Sequence, residues 1–251
     1  LQPTAPASAE GSVRLQLPEM QASNDARCEI DLTLQVNIGA EMVASLFSPC
    51  RPEQRFLVEH SGLAFEAVTD GDGFANFVVP AMVSEAVVRV AFPDGGTAFT
   101  TTTVESMSRM RRIAVVWNTP VDLDLHALEF SAPAGSEWDI WSGNPRDYRM
   151  SRRVGGGYVT TLGLTDGRGV QAEVYTIFET LRTRDGDVLF DLQVADADVA
   201  CDASPVIRLI DSDSGDLRGS TDKRVDLGAC GPARSVDLSD TLEPIRIVTL
   251  R

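Results

Sequence analysis

Two carboxylates and an imidazole occupy alternate positions of one short segment: Asp122, Asp124 and His126 are separated by apolar residues. Side chains alternate between the two faces of a β-strand, so these polar groups share one face, about 7 Å apart along it. Two such carboxylates repel at neutral pH unless a cation lies near them. That cation could be a metal ion, the His126 imidazolium or one of the arginines that follow at Arg146, Arg149, Arg152 and Arg153.

Two more acidic residues, Asp166 and Glu173, lie further along the chain. If their segment neighbours the first, four carboxylates meet, and an oxygen-rich cluster suits Ca²⁺ or Mn²⁺. His126 fits calcium poorly and favours a transition metal, or else lies outside the ligand shell. The favoured alternative is structural: the polar residues form the solvent face of a half-covered sheet or cap loop amides. The metal hypothesis comprises Asp122, Asp124, Asp166, Glu173 and His126.

Aromatic residues suggest a second kind of site. Trp138, Trp141 and Tyr148 lie in one segment rich in polar residues and turn formers. Large amphipathic rings in such a loop are typical of surfaces that bind sugars or peptides. The alternative is that one of the two tryptophans packs beneath the loop. Trp117, which precedes the acidic segment, is predicted to belong to the core.

The sequence is poorly equipped for catalysis. Its only histidines are His60 and His126, and it has no nucleophile elbow. Asp122 and Asp124 lie on one predicted strand and are badly placed to flank a scissile bond from both sides. We therefore assign no catalytic residues and expect a non-catalytic protein. A metal-dependent hydrolase that uses Asp122, Asp124 and His126 is the enzymatic alternative.

Four cysteines fall into two pairs, and four cysteines allow three disulfide connectivities. The long gap between the pairs favours Cys28–Cys50 and Cys201–Cys230. Each bridge stabilises by roughly 3 kcal/mol in the loop-entropy model. Buried free thiols are the main alternative, because no two cysteines have zinc-knuckle spacing. Disulfides predict an oxidising compartment, so we expect a periplasmic or secreted protein.

Composition limits the partners. The 251 residues include 22 Lys and Arg against 37 Asp and Glu, a formal net charge of −15. A chain this acidic is repelled by nucleic acid phosphates and by anionic lipid. It also lacks the run of about 18 apolar residues that a membrane-spanning helix needs. We expect a protein or carbohydrate ligand, no nucleic acid and no membrane span, and leave the oligomeric state open.

Short apolar–polar alternations separated by turn residues run through most of the chain, which is typical of an all-β fold. The predicted organisation is two β-sandwich domains in tandem. Residues 1–22 are a flexible leader whose start without Met suggests a processed or trimmed chain. Residues 23–106 form the first sandwich, 107–112 a solvated linker, and 113–251 the second sandwich. Within the second, Asp211–Gly219 is expected to be a polar hairpin loop.

One motif of the N-terminal half identifies a related fold. Thr69-Asp70 opens a turn, Gly73 follows three residues after the aspartate, and the next strand ends at Pro80. This pattern resembles the bacterial carboxypeptidase-regulatory-like, or prealbumin-like, sandwich, which is Ig-like in architecture. The resemblance implies a fold without catalysis. Asp70 is expected to cap the turn, with Asp70 and Asp72 as a less favoured calcium loop.

The C-terminal half contains two further motifs, Trp117 followed by Asp-Leu-Asp-Leu-His, and later Leu164-Thr165-Asp166-Gly167 before an aromatic strand. They resemble uncharacterised bacterial envelope domains that are often encoded beside alpha-2-macroglobulin-like proteins. In that family Gly-Pro-Glu follows the second motif, whereas here Val-Gln-Ala separates Gly169 from Glu173. The resemblance brings no established activity. We therefore expect a binding or envelope-associated module of unknown ligand, or a structural protein of an envelope assembly.

Overall fold

The computed structural model describes residues 13–18, 28–118, 121, 123–166, 168–178, 185–194, 204–226 and 235–248. These residues form seventeen β-strands in four antiparallel sheets, together with one short α-helix and two 3-10 helices. The predicted all-β class is confirmed. Among the described residues, no helix has the length and apolar character needed to cross a membrane.

The N-terminal half contains two sheets. Sheet 1 has the order β1-β2-β5, and sheet 2 the order β4-β3-β6-β7. Phe56 of sheet 2 packs on Phe77 of sheet 1 with ring centroids 5.6 Å apart, so apolar side chains of both sheets share one core. The strands are β1 Asp31–Asn37, β2 Glu41–Phe47, β3 Arg55–His60, β4 Leu63–Val68, β5 Phe74–Pro80, β6 Glu85–Ala91 and β7 Thr97–Thr103.

The turn before β5 has the predicted capping. One carboxylate oxygen of Asp70 accepts hydrogen bonds from the backbone N–H groups of Asp72 and Phe74, at 3.0 and 2.8 Å. Gly73 has φ of 83°, a conformation that residues with a Cβ rarely adopt. Phe77 packs against the core while Phe74 is 47% exposed. Asp70 therefore satisfies turn amides, as a capping residue should.

The C-terminal half contains two sheets of five strands. Sheet 3 has the order β11-β12-β8-β14-β15, and sheet 4 the order β10-β9-β13-β16 with β17 also paired to β13. Helix α1 spans Tyr148–Val154. The strands are β8 Met110–Trp117, β9 Leu123–Glu129, β10 Asp139–Ile140, β11 Tyr158–Leu162, β12 Gln171–Phe178, β13 Gly186–Val194, β14 Val206–Asp213, β15 Asp216–Arg224, β16 Ser235–Asp237 and β17 Ile245–Ile247.

The segment Asp211–Gly219, expected to be a polar hairpin loop, is the end of a β-hairpin, but most of it is strand and its loop is shorter than predicted. Strand β14 runs to Asp213 and β15 begins at Asp216, which leaves a turn at Ser214 and Gly215. Both turn residues have positive φ, 53° and 90°. Such turns match the twist of paired strands. Strand β15 is exposed along most of its length, and a polar sequence is compatible with a solvent-facing strand.

The central strands β8 and β12 of sheet 3 are buried on both faces. Ala114 and Val116 of β8 belong to the core cluster of the N-terminal half, whereas Ile113 and Val115 belong to the cluster shared with sheet 4. Strand alternation explains this division, because successive side chains point to opposite faces. The two predicted tandem sandwiches thus share a sheet whose side chains fill both cores, and the tandem arrangement stays a prediction.

The segment 107–112, expected to be a solvated linker, is instead packed structure. A 3-10 helix spans Glu105–Arg109, and β8 begins at Met110. Met107 and Arg112 are fully buried. The expectation of a solvated linker is wrong. The apolar–polar alternation stops here because the chain enters strand β8, whose side chains are buried on both faces.

One predicted disulfide lies within the described residues. Cys28 and Cys50 are bonded, 22 residues apart in the chain, which confirms the local pairing in the N-terminal half. Cys201 and Cys230 lie outside the described residues, and their pairing stays a prediction. Most of the predicted leader, residues 1–12 and 19–22, also lies outside them.

Candidate functional site

Strand β9 contains most of the predicted acidic segment. Asp124 and His126 lie on one face of the strand, and Leu125 and Ala127 point into the core. The prediction that the polar residues share a face is compatible with this burial. The solvent-face interpretation is wrong for both residues, since Asp124 is 8% and His126 4% exposed. Residues 131–147, here called the tryptophan loop, cover them. Asp122 lies outside the described residues.

Each polar group on this face has a fixed partner. The Ser142 hydroxyl donates a hydrogen bond to Asp124. His126 Nδ1 lies 2.8 Å from one carboxylate oxygen of Asp139, and the imidazole ring stacks on Trp141 with centroids 4.9 Å apart. Because a carboxylate oxygen accepts, Nδ1 of His126 is the donor of this hydrogen bond. The arrangement is a buried histidine–aspartate pair beneath an indole.

The other predicted metal ligands lie elsewhere. Glu173 of β12 is buried and accepts hydrogen bonds from the Leu125 N–H at 2.6 Å and the Thr161 hydroxyl at 3.1 Å. Asp166 is exposed and forms an ion pair with Arg55 of the N-terminal half at 2.5 Å. Among the described residues, no three His, Cys, Asp or Glu side chains converge to hold a metal ion.

Asp166 is held as a carboxylate by its surroundings. The backbone N–H of Arg168 donates to it at 3.1 Å. This hydrogen bond, followed by the Arg55 guanidinium, lowers the pKa of the Asp166 carboxyl. The group therefore acts as a turn cap and a link between the halves of the chain.

A buried charge cluster that the sequence analysis missed lies at the end of β9. Glu129 is fully buried and forms an ion pair with Arg146 at 2.7 Å. The Tyr175 hydroxyl donates to Glu129 at 2.9 Å, and the Gly157 N–H donates to the same carboxylate oxygen. Burial, and then the Glu129 carboxylate, raise the pKa of Tyr175 well above its usual value. The tyrosine thus stays neutral and donates.

A sequence signal for this cluster exists. Glu129 has the same strand parity as Leu125 and Ala127, which face the core. A carboxylate at a core position requires a cation and hydrogen-bond donors, because an isolated buried charge costs several kcal/mol. Parity therefore predicts a buried partner for Glu129, and only the tertiary structure identifies it as Arg146.

The same arginine positions Trp138. The Arg146 guanidinium lies 4.9 Å from the centre of the Trp138 ring, and its second terminal nitrogen donates to the Glu137 carbonyl at 2.9 Å. Phe130 packs edge-on against this ring at 5.1 Å. Trp138 is therefore a half-buried ring whose orientation is fixed by the buried Glu129–Arg146 pair.

Trp141 is held by a second set of contacts. Its ring stacks on His126, and Gly143 passes so close that a Cβ there would overlap the indole. Both tryptophans are half-buried. Tyr148, predicted to belong with them, packs edge-on against Phe178 at 5.3 Å and lines a separate cavity. Trp117 lies in the core, as predicted.

His60 is also a structural residue. It is buried, its Nδ1 donates to the Val87 carbonyl at 2.9 Å, and its Nε2 accepts from the Met82 N–H at 2.8 Å. Burial lowers the pKa of His60 to about 4. The imidazole is neutral at pH 7, as expected for a satisfied polar group.

No protein-family model matches the chain, and no curated protein matches it in sequence. The two resemblances drawn from the motifs therefore stay predictions.

Proposed function

We propose that the protein is a non-catalytic binding module of a periplasmic or secreted protein, and that the tryptophan loop contacts its protein or carbohydrate ligand. The observation that carries the proposal is the fixed presentation of Trp138 and Trp141. Each is half-buried and oriented by a polar side chain beneath it, the partly buried Arg146 for the first and the buried His126 for the second. Indole rings contribute large contact areas at recognition surfaces.

Rigid support favours binding for a thermodynamic reason. A ligand that orders a mobile loop loses about 0.5–1.5 kcal/mol for each side chain that it immobilises. Here the side chains beneath the rings are already held, through Glu129–Arg146 at 2.7 Å and His126–Asp139 at 2.8 Å. The loop is therefore preorganised, and the contact energy of the rings is retained in the affinity.

The non-catalytic part of the proposal is supported by the hydrogen bonds of the candidate groups. A nucleophile needs a base within hydrogen-bond reach. Within the described parts of the chain, neither His60 nor His126 is hydrogen-bonded to a serine, threonine or cysteine. Ser142 donates to Asp124 instead. These groups act as structural supports in the proposed module.

Localisation is part of the same proposal. The Cys28–Cys50 bond persists in oxidising compartments and is reduced in most cytosols. A periplasmic or extracellular setting is also where ligands such as surface glycans and envelope proteins occur.

The proposal is tested by screening the full chain on glycan and peptide arrays, followed by Trp138→Ala and Trp141→Ala variants. Phe99→Ala is the matched control, because Phe99 is an exposed aromatic residue on β7, outside the loop. Each tryptophan variant should weaken binding of an array ligand at least tenfold, since truncated hot-spot residues cost 2 kcal/mol or more. The control should bind as the wild type does.

Two results would contradict the proposal. Ligands that bind both tryptophan variants as tightly as the wild type would place recognition elsewhere. Turnover of an array glycan or peptide, lost on chelation and restored by calcium or manganese, would instead favour the metal-dependent hydrolase with Asp122, Asp124 and His126.

A further inference from the structure

A cavity of about 490 Å³ lies where the two halves of the chain meet, and none of its described lining residues belongs to the tryptophan loop. Its walls come from the end of β1, the 3-10 helix before β8, and helix α1. Tyr148 and Phe178 provide aromatic surface and stand edge-on to each other at 5.3 Å, and Met110 adds an apolar side chain. This volume is in the range of pockets that hold small molecules.

Gly39 allows the aromatic wall to form. Its φ is 77°, and a Cβ at this position would lie 3.0 Å from the Tyr148 ring. A residue with a Cβ would therefore be strained at this φ and would crowd the Tyr148 ring. Beside it, Ile38 is 57% exposed at the edge of the cavity. The cavity thus combines an apolar rim with an aromatic wall.

The charged side chains that line this cavity are positive, opposite in sign to the net charge of the chain. Arg109 and Arg152 line it, and none of its described lining residues is Asp or Glu, although the chain has a net charge of −15. Arg152 donates to the Tyr148 hydroxyl at 3.2 Å. Neither arginine pairs with a carboxylate among the residues that the structure describes. Within the described part of the chain, both cationic side chains therefore remain available to an anion.

We propose that this cavity is a second binding site, for a small amphipathic anion with one anionic head group and an apolar body. Arg109 and Arg152 bind the head group, because guanidinium groups form strong charge-assisted hydrogen bonds with oxyanions. The apolar body packs on Tyr148, Phe178 and Met110. This site does not depend on the function proposed for the tryptophan loop.

The test uses two fluorescent probes with the full chain. 8-Anilinonaphthalene-1-sulfonate has an apolar ring system and a sulfonate, and N-phenyl-1-naphthylamine has the same rings without the charge. The sulfonate probe should bind the wild-type protein more tightly than the neutral probe does. An Arg109→Gln/Arg152→Gln variant should lose about tenfold in sulfonate affinity for each arginine, since hydrogen bonds to charged groups contribute at least that much. Its affinity for the neutral probe should change less than twofold.

The matched control is Arg149→Gln/Arg153→Gln. Like the test variant, it removes two positive charges, but both come from exposed residues of helix α1 that do not line the cavity. Sulfonate affinity of this control should stay within twofold of the wild type, and thermal melting should show that both variants fold. Equal losses in the two double variants would overturn the proposal, because long-range attraction would then account for binding.

Two further results separate the alternatives. Equal affinity for the charged and neutral probes, unaffected by either pair of substitutions, would also overturn the proposal and leave an apolar surface without an anion site. Trp138→Ala should bind the sulfonate probe as the wild type does. A loss there would assign the probe to the tryptophan loop, so failure of this proposal is distinguishable from failure of the proposed function.

Discussion

Substitution of Arg112 tests whether one buried cation joins the two halves of the chain. Arg112 is 0% exposed on β8. Its guanidinium donates to the backbone carbonyls of Gly39 at 2.6 Å, Ala40 at 3.1 Å and Ala81, and its Nε donates to the Thr176 hydroxyl at 3.0 Å. Burial lowers the pKa of this group, and the nearby Tyr158 raises it.

The free energy of unfolding lost in Arg112→Met depends on which other hydrogen bonds the three carbonyl oxygens keep. The Gly39 oxygen keeps the Tyr158 hydroxyl at 3.3 Å, and the Ala40 oxygen keeps the Ala81 N–H at 3.0 Å. Among the described residues, only Arg112 donates to the Ala81 oxygen. Three bonds from a charged donor contribute about 1.5–3 kcal/mol each. The methionine variant also avoids several kcal/mol of guanidinium desolvation. We expect a net loss of about 3 kcal/mol.

Arg112→Lys separates hydrogen bonding from charge. A lysine keeps the buried positive charge and its desolvation cost. Its single nitrogen, however, cannot donate hydrogen bonds to all three carbonyl oxygens and to Thr176 at the same time. The lysine variant should therefore be no more stable than the methionine variant. Arg111→Met is the control, because Arg111 forms a partly buried ion pair with Asp211, whose loss should cost about 1 kcal/mol.

Urea denaturation gives these free energies, and thermal melting gives an independent check. A loss of about 3 kcal/mol corresponds to a fall of about 9 °C in the midpoint for a chain of this size. Full stability in Arg112→Lys, or a loss in Arg112→Met no larger than in Arg111→Met, would refute the reasoning. An unfolding curve that divides into two transitions would instead indicate halves that fold independently despite their shared sheet.

Two further predictions concern other buried ionisable groups. The unfolded chain protonates His60 near pH 6.5 and the folded state only near pH 4, so wild-type stability falls as pH falls through this window. Urea denaturation at pH 7 and pH 4.5 should be compared for the wild type and His60→Gln. Between these pH values the free energy of unfolding of the wild type should fall by about 2.5 kcal/mol more than that of the variant. A difference between the two proteins that is the same at both pH values would contradict the low pKa of His60. Arg146→Met leaves the Glu129 carboxylate buried without its cation and should cost about 3–5 kcal/mol. Adding Glu129→Gln should recover part of that loss, whereas additive losses would show that the pair is not coupled.

The sequence alone determined the class of fold and several local features. Short runs of alternating apolar and polar residues, separated by turn residues, predicted most of the segments that form strands. Asp70 was predicted to cap its turn, and Cys28 to pair with Cys50; the structure has both. These features depend on interactions between residues close in the chain, so the pattern of residue types contains the necessary information.

The site depended on tertiary structure. Alternation showed that Asp124 and His126 share a face, but it does not show what covers that face. The tryptophan loop covers it, which makes an expected solvent face a buried polar layer. Asp166 and Glu173 are seven residues apart in the sequence, yet Asp166 pairs with Arg55 and Glu173 accepts a hydrogen bond from the Leu125 N–H within β9.

The segment 107–112 shows the same limit. Its arginines suggest a solvated linker when read locally, yet Arg112 is fully buried. A buried guanidinium is stable only where several carbonyls converge on it, and these come from residues 31 and more positions away. Sequence patterns identify which side chains share a face, whereas the partners that bury and satisfy that face are set by how the sheets pack.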